Sequence, residues 1–139
     1  MPIFLSYEAD SSAGTILGHN IRIIKSRLSD INISDYTPVL GEIGIIVNCY
    51  PNELTAKGFG KIRRYISYKN RYADIRLPID YDKLLKADRR EQYILTVKNI
   101  IESVQATENR LSAKKLAFDS EKLIRDIMIN TEVTADELK

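Results

Sequence analysis

The sequence contains no tryptophan, one cysteine and one histidine. A single cysteine, Cys49, excludes an intrachain disulfide. It lies in an apolar run, where a buried, unreactive thiol is the expected state. One Cys and one His are too few for a zinc site, so no metal or other cofactor is expected. His19 falls about two residues off the apolar stripe of its helix and is expected on the exposed side. No serine or cysteine motif supplies it with a nucleophile to activate, and the reading is that of a protein that is not an enzyme. No stretch approaches the eighteen or so apolar residues of a membrane span. The start, MPIFLSYEAD, has no basic segment ahead of its apolar residues and meets acids early, unlike a secretory signal. A cytoplasmic location is expected.

The chain has 139 residues, of which 44% are hydrophobic and 29% charged. That length and composition suit a single packed domain. Its net charge of +2 is unevenly spread. Residues 1–57 hold four bases and six acids, 58–90 hold ten and four, and 91–139 hold seven and nine, giving −2, +6 and −2. The basic character therefore belongs to one stretch, Lys61 to Asp80, KIRRYISYKNRYADIRLPID, and what directly follows it.

Apolar periodicity gives the elements. Ile3 to Tyr7 reads as a strand. Leu17, Ile21, Ile24, Leu28 and Ile31 form one helical stripe after a capping cluster at Asp10-Ser11-Ser12. Ile43 to Tyr50 is nearly continuous apolar and reads as a buried central strand. The basic stretch alternates as two strands around a turn at Lys69-Asn70. With a two-residue turn Ile66 faces Ala73 and Tyr65 faces Asp74; a longer turn changes the partners and leaves the faces intact. Ile62, Ile66, Ala73, Ile75, Leu77 and Ile79 share one side, and Arg63, Tyr65, Ser67, Tyr72, Asp74 and Arg76 the other. A short helix follows Asp80. Asp88 with Glu91 matches a capping box for a longer helix running to about Gln105, with residues 109–115 extending it or bending away. Asp119 caps a last helix. The fold class expected is α+β, an antiparallel or mixed sheet with a central hairpin and helices packed on one face. Residues 1–130 form one domain and 131–139 a polar tail that frays.

The exposed hairpin face is the candidate site: Arg63, Tyr65, Tyr72, Asp74 and Arg76. Single-stranded nucleic-acid binders combine cations with stacking aromatics, but protein interfaces also enrich Tyr and Arg. A plain solvated sheet face with a Tyr65–Asp74 contact is the simplest alternative. Asp74 sits between the arginines, where it would repel phosphates and could pair with a partner's Lys or Arg, so nucleic acid is the less favoured ligand.

The run RRYISYKNRYADIRLPIDYDKLLKADRREQYILTVKNIIESV, Arg63 to Val104, resembles a bacterial polymorphic-toxin immunity family, the one numbered forty-four. Arg76-Leu77-Pro78-Ile79-Asp80 and Ala87-Asp88 through Gln92 match its strand end and helix start. The order of the opening strand and long helix agrees up to about residue 130. The resemblance implies a cytoplasmic protein that binds a cognate toxin domain and occludes it, as in contact-dependent growth inhibition, without chemistry of its own. It fixes neither the toxin's activity nor the oligomeric state. Many such toxins are basic nucleases, for which acidic contacts from Glu8, Asp10, Asp35 and Glu42 form a second candidate surface.

Overall fold

The computed structural model describes residues 3–7, 11–50, 60–64 and 71–139. The chain runs β1 (Ile3–Tyr7), α1 (Ser11–Arg27), a single 3-10 turn (Ile33–Asp35), β2 (Leu40–Tyr50), β3 (Gly60–Arg64), β4 (Arg71–Pro78), α2 (Tyr81–Lys86), α3 (Arg89–Ala113) and α4 (Ser120–Thr131). The fold is α+β, with a mixed sheet in the order β1-β2-β4-β3. β1 and β4 flank β2, both parallel to it, and β3 closes the edge antiparallel to β4. β2 is the central strand that its apolar run foretells, since a strand flanked by parallel neighbours and covered by helices tolerates little polarity.

The basic stretch is a hairpin, but its register differs from the two-residue turn. Ile62 faces Ala73, Lys61 faces Asp74 and Arg63 faces Tyr72. Asp74 therefore lies opposite Lys61; the turn expected at Lys69-Asn70, with Tyr65, Ile66 and Ser67, lies outside the described residues. The slip is an even number of residues, so each described side chain keeps its face. Ala73, Ile75 and Leu77 are buried at 0%, 0% and 3% exposure, while Tyr72, Asp74 and Arg76 between them are only partly covered.

The helices lie on the side of Ile3, Ile45, Val47, Cys49, Ala73 and Ile75, and complete one core with them. α3 crosses β2, β3 and β4, and α1 lies against β1 and α3. Three aspartates start the last three helices. Asp80, Asp88 and Asp119 each accept a hydrogen bond from the backbone N–H three residues on, at 3.1, 2.8 and 3.2 Å, which satisfies donors that the helix itself cannot. Of the two courses left open for residues 109–115, extension is the one found: α3 continues past Gln105 to Ala113. It buries Thr96, Ser103 and Thr107 by turning each hydroxyl onto a preceding carbonyl of the helix, so a polar stretch can enter the core with its donors satisfied.

α3 and α4 end alike. Leu116 N–H donates to Leu111 O and Lys115 N–H to Ser112 O; Val133 N–H donates to Met128 O and Glu132 N–H to Ile129 O. Lys115 and Glu132 occupy the left-handed position of these turns, at φ 57° and 58°, where glycine is the usual residue. Beyond α4 the chain makes specific contacts with α3. Val133 is 3% exposed and Arg90 pairs with Glu137 at 3.0 Å. Beside it, the Tyr93 hydroxyl donates to Thr131 O at 2.7 Å and accepts from Arg27 Nη1 at 2.7 Å.

Candidate functional site

Among the described residues, no helix covers the other side of the sheet. β4 places Tyr72, Asp74 and Arg76 there because its alternate residues are committed to the core. β3 adds Arg63 opposite Tyr72 and Lys61 opposite Asp74. The parallel register then extends the face across the sheet. One row reads Phe4, Ile46, Asp74, Lys61, and the next Ser6, Asn48, Arg76. Phe4 is 45% exposed, an uncommon setting for a phenylalanine on an edge strand. The Ser6 hydroxyl donates to Asn48 Oδ1 at 2.6 Å, tying β1 to β2 on this side.

The electrostatics of the face centre on Asp74. Arg63 Nε donates to Asp74 Oδ2 at 2.8 Å, and Arg76 Nη2 lies 3.9 Å from the same oxygen. The Asp74 side chain is 14% exposed, against 43% for Arg63 and 33% for Arg76. Pairs this accessible add little stability. Their effect is geometric: the carboxylate anchors Arg63 by a hydrogen bond across the strand pair and attracts Arg76, two residues along its own strand, by charge.

The candidates chosen from sequence divide. Arg63, Tyr72, Asp74 and Arg76 come together on one face. Tyr65, Glu8 and Asp10 lie outside the described residues, as does the side chain of Glu42. Asp35 is exposed in the 3-10 turn beside Tyr36, and that tyrosine reaches Asp126 on α4 with a hydrogen bond of 2.5 Å. Asp35 is thus carried with the helices, away from the sheet face. Burial, and then Asp126, Asp35 and Asp119 around it, push the Tyr36 hydroxyl up to about 12. Sequence reading missed Phe4, Ser6, Ile46, Asn48 and Lys61. A signal existed in the phase of Asn48, the polar residue of the run IGIIVNCY, which marks the outward positions of β2.

Two other places carry titratable groups. Cys49 is buried, and desolvation, then the nearby Glu102 carboxylate, raises its thiol to about 12. It is no nucleophile near neutral pH. Glu102 lines a cleft of about 230 Å³ between α2, α3 and the end of β4, with Ile79, Leu84, Leu95 and Asn99. Burial holds its carboxyl above the usual 4.5, with Lys98 opposing. His19 is exposed on α1. Among the described residues no group of three or more His, Cys, Asp or Glu is placed to hold a metal ion, and no helix is long and apolar enough to cross a membrane.

The architecture defines a class: a small α+β domain with a one-sided helical layer and an outward sheet face of mixed apolar and cationic character. The family model described as Immunity protein 44 matches residues 1–129. The chain belongs to this family of immunity proteins. No curated protein and no solved structure matches it.

Proposed function

We propose that the protein binds a cognate toxin domain in the cytoplasm of the cell that makes it, and neutralises the toxin by occluding its active site or an essential surface. Membership of the immunity protein 44 family carries this reading. The outward sheet face is the contact surface that the geometry favours. Phe4 and Ile46 offer an apolar patch, and Arg63, Tyr72 and Arg76 supply the residue types that dominate the energetics of protein interfaces. Inhibition needs no chemistry from the immunity protein. Steric cover from an interface burying on the order of 1,200–2,000 Å² in total is sufficient. Contact-dependent growth inhibition between neighbouring bacteria is a setting that fits.

The test is co-expression with the toxin domain encoded beside the gene. The protein is expected to restore growth, to co-purify with that domain, and to protect poorly against unrelated toxins. Growth arrest in the presence of well-expressed, folded protein, with no complex recovered, would sink the proposal.

A further inference from the structure

The face proposed as the toxin contact has an internal charge arrangement that specifies its partner. Asp74 is the only acid among the described residues of that face, and its carboxylate is turned onto Arg63 at 2.8 Å and Arg76 at 3.9 Å. At 14% exposure it offers little to an incoming cation. Around it stand Lys61, Arg63 and Arg76, three positive charges against one negative, and Lys61 and Arg63 are exposed on the edge strand. The described outward residues of β1 and β2 are Phe4, Ser6, Ile46, Asn48 and Tyr50, all uncharged. Among the described side chains the face thus divides into an apolar and neutral part on β1 and the Ile46–Tyr50 end of β2 and a cationic part on β4 and β3.

We infer that the surface of the toxin which docks here is an acidic strip: Asp and Glu side chains lying beside an apolar patch, the carboxylates meeting β3 and β4 and the apolar groups meeting Phe4 and Ile46. This rests on the proposed function above and adds the chemistry of the partner. Asp74 acts in it as a positioning residue. It holds Arg63 by a hydrogen bond so that the exposed end of that guanidinium is presented in a fixed direction, which lowers the ordering cost of binding, and guanidinium forks match carboxylates two bonds at a time. A phosphate backbone would also attract these cations. Single-stranded nucleic acid, however, needs aromatics interleaved with the cations. Tyr72, opposite Arg63, is the one aromatic among the described cations and is only partly exposed, while the well-exposed Phe4 stands two strands from Asp74, about 10 Å at ordinary strand spacing.

The experiment measures association rates for the purified, catalytically inactivated toxin domain of the adjacent gene, at low and physiological salt. It compares the native chain with Lys61→Glu and Asp74→Asn. Electrostatic steering changes association more than dissociation, by a factor on the order of 2–10 for each unit charge at low salt. Lys61→Glu, a double charge change on an exposed edge residue, is expected to slow association. Asp74→Asn is expected to speed it and steepen its salt dependence. Thermal melts establish that both variants fold; should Asp74→Asn not fold, Lys61→Glu alone decides the sign. The opposite signs, with the native complex intact, would mean a cationic partner and would overturn the inference while leaving the immunity function standing. Unchanged rates for both variants would place the interface elsewhere and also overturn it. Absence of toxin binding, together with salt-sensitive binding of oligo(dT) or oligo(U) that Lys61→Glu weakens, would remove both the inference and the proposed function in favour of a nucleic-acid ribbon.

Discussion

Replacing Tyr93 by Phe removes one oxygen atom from the junction that closes the helical layer. The Tyr93 hydroxyl donates to Thr131 O at 2.7 Å and accepts from Arg27 Nη1 at 2.7 Å, and the residue is 6% exposed. Phenylalanine keeps the ring and its place between the guanidinium carbons of Arg27 and Arg90, which lie 5.5 and 5.3 Å from the ring centre. Thr131 O still accepts from Arg27 at 3.1 Å, so no buried carbonyl is orphaned. What is lost is one neutral hydrogen bond and one charge-assisted bond from a partly exposed arginine, each contributing about 1 kcal/mol net. The expected destabilisation is about 2 kcal/mol. At roughly 2.1 cal/mol/K per residue, a domain of this length has an unfolding entropy of about 0.3 kcal/mol/K, so Tm falls by about 7 °C. Scanning calorimetry or a circular-dichroism melt reads this directly. A change below about 1 °C would show that the junction does not tie the ends of α3 and α4 together. Toxin binding should survive, because Tyr93 belongs to the helical side.

The Glu102 carboxyl is held above its usual value by burial. A raised folded pKa means that the neutral acid suits the fold, and that stability is lost as pH rises through the folded value. Glu102→Gln should therefore stabilise the protein at pH 7 and bring no gain well below pH 4.5; urea unfolding at the two pH values checks it, and a loss at pH 7 would contradict the argument. Glu132 adopts φ 58° and its side chain is largely exposed, 3.8 Å from Arg27. Glu132→Gly relieves the left-handed strain at the cost of some unfolded-state entropy, so a gain of about 0.5–1 kcal/mol is expected; destabilisation in the same unfolding assay would mean that the weak ion pair outweighs the backbone.

Much of the fold is legible before any coordinates. Elements whose signals are local were readable: Asp88 and Asp119 announce helices because a short carboxylate before an apolar stripe has few better uses, and alternation in RYADIRLP assigns faces whatever strand lies beside it. Pairing is not local. Nothing in the periodicity of Ile43–Tyr50 says that its neighbours are β1 and β4, both parallel, or that β3 is pushed to the edge. The register of the β3–β4 hairpin was left open, because a tight turn at Lys69-Asn70 would pair Ile66 with Ala73 whereas the strands pair Ile62 with it. The candidate site was legible to the same extent. Arg63, Tyr72, Asp74 and Arg76 follow from alternation within one hairpin, whereas Phe4 and Ile46 join them only through the parallel pairing across the sheet. The polarity of the tail hides one buried residue, Val133, and one ion pair, Arg90 with Glu137, which alternation and composition do not reveal.

The central claim is that the outward sheet face meets the toxin, and Phe4→Asp tests it most directly. Phe4 is 45% exposed on an edge strand, so the change leaves the core intact and places a carboxylate in the middle of the apolar half of the proposed contact. The measurement is the dissociation constant for the neighbouring-gene toxin domain, by calorimetry or surface plasmon resonance. The account predicts tight binding by the native chain and weakening of at least about 30-fold in the variant, the loss expected of an interface hot spot of about 2 kcal/mol or more. A folded Phe4→Asp variant that binds the toxin as tightly as the native chain would contradict the claim.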